Sequence, residues 1–360
     1  MMKSRLEKLR ESMKEKDGEI IRLLNERSQI SVRIGEVKGR AGLDVYDPSQ
    51  EARVYNYLQE LNCGPLPSNA VNSIFREIIS ASRKLQKPTT VAFLGPEASF
   101  SHLAARRHFG DSSRYIPQPG IAHVFDELER GLTDWGVVPV ENSQEGSVNV
   151  TLDRLIATPL KIRAEIYLRI CQCLISSAKD MKSIKRIYSH PQALAQCRTW
   201  LTTNLPSCTL HEVESTAAAA CMIKGKKTEA AIGSSLAASE KGMNILARGI
   251  EDNNSNTTRF LVIGNGESAA TGRDKTSLVY ATPHSPGSLH RSLDPFARRG
   301  INLIKIESHP VRERLWEYLF FVDIVGHIAD KKIKDCLSKL RKKTTFLKIL
   351  GSYPKAEGET

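Results

Sequence analysis

Arg27 stands in the middle of an apolar stripe. Residues 4 to 38 contain no proline and carry apolar residues at heptad-like spacing. Met13, Ile20 and Ile34 lie on one line, and Leu9, Leu23, Ile30 and Val37 on the next. Seven residues beyond Ile20, where the first line calls for another apolar residue, the chain has Arg27. A guanidinium keeps its proton, so its burial is costly unless a fixed anion meets it; otherwise the side chain snorkels to the helix edge. Lys38 lies eleven residues further, about three turns, and returns to nearly the same face. Arg10 precedes Arg27 by seventeen residues, roughly 26 Å along a helix axis. One rod cannot close Arg10, Arg27 and Lys38 around one small ligand. A second copy of the rod would supply Arg10 and cover the stripe, so a homodimer or higher homo-oligomer is expected.

Two shorter helices follow. Asp47-Pro48-Ser49 is a start signal, with Asp47 or Ser49 as cap and Glu51 in the first turn. Pro67-Ser68 opens another, whose apolar face runs Val71, Phe75, Ile78 and then Ser82, with Gln86 one turn on. Singly, such groups are more often satisfied core polar residues. Together, Arg27, Ser82 and Gln86 outline a polar pocket in a helical bundle. These residues, with Leu9-Arg10, Leu24-Asn25-Glu26-Arg27 and Gly35-Glu36-Val37-Lys38, resemble the all-helical chorismate mutase family over residues 5–86. The resemblance implies a pericyclic rearrangement of chorismate to prephenate. Arg10 of the other subunit and Arg27 would grip carboxylates, and Lys38 and Gln86 would face the ether oxygen. Asp47 and Glu51 would handle the hydroxyl side, and Ser82 would add a hydrogen bond. Gln50 stands where the family often has Arg.

After Gln86-Lys87-Pro88-Thr89-Thr90 the grammar changes to short apolar runs, polar turns and helix starts. It recurs at Val91–Leu94, Gly136–Val140, Ile187–Tyr188 and Ala230–Ile232, which predicts an α/β sheet with a ligand cleft at the helix N-termini. The chain is expected to cross to a second lobe near residues 165–175 and to return near 245–260. Gly95-Pro96-Glu97 with Ser99-Phe100, Glu141-Asn142-Ser143-Gln144-Glu145-Gly146-Ser147, Ser189-His190-Pro191-Gln192, Ser215-Thr216-Ala217 and Asn256-Thr257-Thr258-Arg259-Phe260 resemble the prephenate dehydratase family in order. That family has two lobes like type II periplasmic binding proteins, and it removes carbon dioxide and water from prephenate to give phenylpyruvate. The departing hydroxyl needs a proton or a strong donor. By resemblance Thr258 serves there, Arg259 lies near a carboxylate, and Glu141, Asn142, Ser143, Ser189, His190, Gln192, Thr257 and Phe260 complete the substrate site. His190 reads as a general acid, or as a residue with a structural or substrate-hydrogen-bonding role. Ala98 stands where that family often has Gly, and Gln172 where it commonly has His.

Beyond a polar linker through Gly272-Arg273, strands and helices follow in the order βαββαβ, a ferredoxin-like sandwich. Strands are expected at Thr276–Tyr280, Ile301–Ile306, Tyr318–Val325 and Ile349–Tyr353, with helices opening at Pro286-Gly287 and near Ala329. Pro286-Gly287-Ser288-Leu289 and a loop Glu307-Ser308-His309-Pro310 resemble the ACT regulatory domain, with His309 where that family has Arg. The resemblance implies phenylalanine binding by Gly287, Ser288, Leu289, Glu307 and Ser308.

The expected organisation is therefore multidomain. A helical mutase-like segment spans 1–87, a two-lobed α/β dehydratase-like segment 90–267, and an α+β ACT-like segment 275–353. Together they resemble the bifunctional chorismate mutase–prephenate dehydratase family of phenylalanine biosynthesis, with feedback by phenylalanine. An enzyme with the dehydratase alone active, and a non-catalytic amino-acid-binding regulator, are the alternatives. The net charge of +12 suits small anionic substrates, and without a basic aromatic patch it does not point to nucleic acid. Neither a signal peptide nor a membrane span is expected, and seven cysteines without Cys-x-x-Cys pairs fit the cytoplasm. Cys171 and Cys173 read as buried free thiols. No metal and no cofactor is expected.

Overall fold

A computed structural model describes residues 2–310 and 318–356. The chain divides into two compact units: Met1–Asp47 with Val54–Thr89 and Phe109–Arg114, and the remainder. No helix among the described residues is long and apolar enough to cross a membrane.

The first unit is built on α1 (Met2–Arg40), with α2 (Pro48–Leu61) from Val54 onward and α3 (Ser68–Gln86) after it. Lys38 and Arg40 occupy the last turn of α1, where positive charge meets the negative end of the helix dipole. The long helix runs against α3, and Gly35 sets the spacing. A Cβ there would stand 2.8 Å from Gln86 Cγ, closer than packed carbons tolerate. Arg83 of α3 is buried, donates to Phe109 O at 2.5 Å and lies over the rings of Tyr46 and Phe109. The apolar stripe of α1 finds no such cover. Leu9, Met13, Ile20, Leu23, Ile30, Ile34 and Val37 all remain 47 to 65% exposed.

The second unit begins with a lobe of β1 (Thr90–Leu94), α4 (Phe100–Phe109), β2 (Arg114–Gln118), α5 (Ile121–Glu129), β3 (Trp135–Asn142), β4 (Gly146–Ser147), α6 (Asn149–Ala157) and β5 (Lys161–Arg169). The chain then enters a second lobe of β6 (Cys173–Ser176), β7 (Arg186–Ser189), α7 (Pro191–Gln196), α8 (Arg198–Asn204), β8 (Thr209–Glu212), α9 (Thr216–Met222), β9 (Glu229–Gly233), α10 (Ser235–Lys241) and β10 (Asn244–Arg248). It returns along β11 (Thr257–Gly264). β11 lies antiparallel between β3 and β5, in a sheet ordered β2-β1-β3-β11-β5 with β4 on β3. The other lobe is ordered β10-β6-β9-β7-β8. Its core is rich in alanine (Ala219, Ala220, Ala230, Ala231, Ala237, Ala238), which lets helices approach the sheet closely. Cys173 is buried and Cys171 half-buried, and burial pushes the Cys173 thiol up to about 12.

β12 (Asp274–Ala281), α11 (Ser288–Ala297), β13 (Leu303–Pro310), β14 (Tyr318–Val325), α12 (Lys331–Arg341) and β15 (Phe346–Pro354) form the antiparallel sheet β13-β14-β12-β15. Alternation along its strands feeds two cores. Leu278, Tyr280, Val322 and Ile324 pack with Phe296 and Leu340 of the helices. Val279, Ala281, Leu319, Phe321, Leu350 and Tyr353 join Leu155, Leu160, Ile162 and Leu261 of the first lobe in a single cluster. Contact there is close enough that a Cβ on Gly351 would lie 2.2 Å from Ile162 O. One expectation is corrected. Glu307–Pro310 is not a loop but the end of β13, paired with β14 as far as Pro310 opposite Tyr318.

Candidate functional site

In the helical unit, one expected pair meets and a further polar contact joins it. Arg27 Nη1 donates to Ser82 Oγ at 2.7 Å, and Gln86 Nε2 donates to Ser31 Oγ at 2.7 Å. Burial draws the Arg27 guanidinium below its ordinary pKa. The Gln86 carbonyl oxygen is buried and takes no donor, an acceptor turned inward. Lys38 Nζ reaches Val45 O at 2.8 Å. Asp47 directly precedes α2 and Glu51 lies in its first turn, both half-buried. Arg10 is exposed, and helix geometry keeps it roughly 26 Å from Arg27. Sequence reasoning passed over Ser31, although it sits one turn after Arg27 on the same side of α1.

In the two-lobed segment, β3 and β11 pair so that Asn142 stands opposite Thr258. Asn142 Nδ2 donates to Thr258 Oγ1 at 2.9 Å and to Asn256 Oδ1 at 2.8 Å. Its Oδ1 accepts the backbone N–H of Gln144 and of Glu145, which fixes the amide. Ser143 Oγ donates to Ser255 O and accepts from Thr257 N, tying the β3–β4 turn to the start of β11. Gln192 bonds Glu145, and Gln196 bonds Gln144 at 3.5 Å, so this turn of the first lobe meets α7 of the second. A second inter-lobe contact joins Ser234 Oγ to Ala98 O at 2.7 Å. Ala98 is held at φ 65°, the left-handed region that favours glycine.

Other expected residues lie elsewhere. His190 caps α7, its Nδ1 accepting from Gln192 N at 3.3 Å. Ser189 is fully buried and donates to Ile232 O, and Phe260 is 2% exposed in the strand core. Arg259, expected near a substrate carboxylate, is held by carboxylates of the protein. Its Nε meets Glu165 Oε2 at 2.9 Å, its Nη1 meets Asp323 Oδ2 at 2.7 Å, and its Nη2 meets Tyr353 Oη at 3.0 Å. Lys275 Nζ also pairs with Glu165, at 2.7 Å. Glu141 likewise turns to the C-terminal sheet, meeting Lys305 Nζ at 2.8 Å. The physical reason is strand alternation: the neighbour of an inward Asn142 or Thr258 must point the other way. None of Glu165, Lys275, Lys305 and Asp323 belongs to a recognised motif, so nothing local marked them.

One cavity of the two-lobed segment does not contain Thr258. It encloses about 810 Å³ between Pro96, Pro117, Val213, Ala217 and Met222, along the other edge of the lobe contact. The Asn142–Thr258 pair carries the stronger chemical argument, because it joins a fixed amide to a hydroxyl. In the C-terminal sheet, Gly287, in the left-handed region at φ 76°, precedes α11. With Ser288, Leu289, Tyr318 and Phe320 it lines a cavity of about 220 Å³. Ser288 Oγ contacts Ser285 Oγ and accepts from Arg291. Glu307 and Ser308 are not among the residues of that cavity; Glu307 pairs with Lys305 at 3.0 Å. His309 is buried, with Nε2 2.7 Å from Asp153 Oδ1 of α6.

Three family models match in succession: chorismate mutase type II over residues 9–87, prephenate dehydratase over 91–268 and the ACT domain over 278–342. The bifunctional chorismate mutase/prephenate dehydratase of Aquifex aeolicus is 45% identical over 355 residues, 98% of each chain. The protein of that description from Escherichia coli is 30% identical over 96% of this chain and 95% of its own. A crystal structure of prephenate dehydratase from Arthrobacter aurescens, in complex with L-Phe, superposes with a TM-score of 0.67 at 36% identity, covering 74% of this chain and 90% of that one. With its helical, two-lobed and ferredoxin-like parts in this order, the chain belongs to the bifunctional chorismate mutase/prephenate dehydratase family.

Proposed function

We propose that this chain rearranges chorismate to prephenate in its helical unit and converts prephenate to phenylpyruvate in its two-lobed segment, under inhibition by phenylalanine bound to the C-terminal sheet. The observation that carries the lyase reading is the Asn142–Thr258 hydrogen bond of 2.9 Å. Because Asn142 donates, the Thr258 oxygen accepts and its own proton remains available. In prephenate, the electrons of the breaking bond to the carboxylate aromatise the ring and expel the hydroxyl. The Thr258 O–H is the donor that meets it, so carbon dioxide and water leave together. For the mutase step, Arg27 and the Arg10 of a second copy hold the dicarboxylate in its compact pose, and Gln86 with Lys38 stabilises charge growing on the ether oxygen.

A homodimer is part of this reading. The exposed stripe of α1 supports it, since a second α1 buries those seven apolar residues and brings Arg10 to the site that Arg27 and Ser82 begin. Bound phenylalanine in the Arthrobacter relative, and the cavity at Gly287 and Ser288, support the regulatory part. The test is turnover by purified full-length protein, with chorismate and with prephenate supplied separately, each with and without phenylalanine. Both substrates are expected to be consumed, and phenylalanine to slow only the second. Absence of phenylpyruvate from prephenate rejects the lyase assignment.

A further inference from the structure

β3 and β11 pair two consecutive positions: Asn142 with Thr258, and Glu141 with Arg259. The first pair is hydrogen-bonded to itself. The second grips the C-terminal sheet, Glu141 through Lys305 at 2.8 Å and Arg259 through Asp323 at 2.7 Å. Lys305 and Asp323 are cross-strand partners on β13 and β14. Four charges of alternating sign therefore join two strands of one sheet to two of the other, one residue away from the bond that holds Thr258.

The two arms differ in strength. Arg259 and Asp323 are 8% and 9% exposed, and Glu165, Tyr353 and Ser277 complete their hydrogen bonds. A buried pair satisfied in this way is fixed, because breaking it strands a charge. Lys305 and Glu141 are 20% and 38% exposed, where an ion pair is worth little and is readily exchanged. The Lys305 ammonium already has a second carboxylate, Glu307, at 3.0 Å. That Glu307 oxygen is buried, and Lys305 meets it as an ion pair outside hydrogen-bond geometry. A ligand ammonium offered to Glu307 competes with Lys305 and leaves the lysine to Glu141 alone.

We propose that Lys305 and Asp323 are positioning residues of the dehydratase site, acting through Glu141 and Arg259 on the Asn142–Thr258 pair. Asp323 fixes one strand, and Lys305, shared between Glu141 and Glu307, carries occupancy of the regulatory segment to the other. Glu141 and Arg259 thereby serve the contact between the domains, not the substrate. The proposal rests on the reading of Thr258 as proton donor and of the C-terminal sheet as phenylalanine-responsive.

The experiment uses full-length protein with Lys305→Met, which keeps the stem and removes the charge, and Lys305→Arg, which restores it. Chorismate turnover reports on the folded state of each variant. In Lys305→Met, the phenylalanine concentration for half-inhibition is expected to rise at least about tenfold. Calorimetric phenylalanine binding and the KM for prephenate stay within about threefold of wild type in that variant. Lys305→Arg retains inhibition. Asp323→Asn lowers kcat for prephenate with KM held. Wild-type inhibition in Lys305→Met overturns the proposal, as does loss of phenylalanine binding there, which would make Lys305 a ligand. So does a raised KM with unchanged kcat in Asp323→Asn. A wild-type protein that forms no phenylpyruvate, or that phenylalanine does not slow, overturns instead the underlying functional reading, before any variant is made.

Discussion

Thr258 and Asn142 illustrate how much one hydrogen bond can decide. The Thr258 side chain is small and only 8% of the residue is exposed, so Val fits its volume while removing the hydroxyl. Thr258→Val is expected to lower kcat for prephenate by about 10² to 10³, the range for a lost proton donor or transition-state hydrogen bond. KM changes little and chorismate turnover is untouched; a variant with full prephenate turnover would remove Thr258 from the mechanism. Arg27→Ala gives the mirror result, with chorismate turnover lost and prephenate turnover kept, measured on the same preparations. The meeting of Arg27 and Ser82 was legible because both interrupt apolar lines, and the structure brings them to 2.7 Å. The directions of Glu141 and Arg259 were not legible. A motif fixes which residues occur, but strand alternation and the partner across the sheet decide where each side chain points. Those partners, Lys305 and Asp323, lie far along the chain.

At the scale of elements, α1 is the informative case. Periodicity predicted a helix from residue 4 to about 38, and it extends over Met2–Arg40. The stripe for which a second copy is expected is exposed along the single chain. Burying seven such side chains at roughly 1.5 kcal/mol or more each is ample to drive association of two helices. Leu23→Lys, at a position 53% exposed, puts a charge into that contact without disturbing the α3 side. Sedimentation is expected to show dissociation toward monomer, with loss of chorismate turnover, because Arg10 then has no second site to serve. A variant that stays associated would place the interface elsewhere. β13 taught the opposite lesson. Glu307-Ser308-His309-Pro310 reads as a loop by its resemblance to the ACT family, yet pairing with β14 holds it in a strand, with His309 meeting Asp153. Edge strands tolerate proline, so Pro310 does not end the pairing.

For the whole molecule, three matched families do not mean three independently folding parts. The C-terminal sheet contributes Val279, Phe321, Leu350 and Tyr353 to the same cluster that holds Leu155, Ile162 and Leu261 of the first lobe. Through it run Arg259, Glu165, Lys275 and Asp323, charges that are satisfied only while both sides are in place. Separating the sheets would expose the apolar face and leave buried charges without partners, each costing several kcal/mol. Cooperative units are set by such shared interiors and not by family boundaries. Calorimetric unfolding of the full chain is therefore expected to show two transitions, one for the helical unit and one that takes the two-lobed segment and the C-terminal sheet together. Gly351→Ala, which drives a methyl group into Ile162 O, should lower the second transition and leave the first in place. Three resolved transitions, with Gly351→Ala displacing only the smallest, would show that residues 275–353 fold apart from the lobe they rest on.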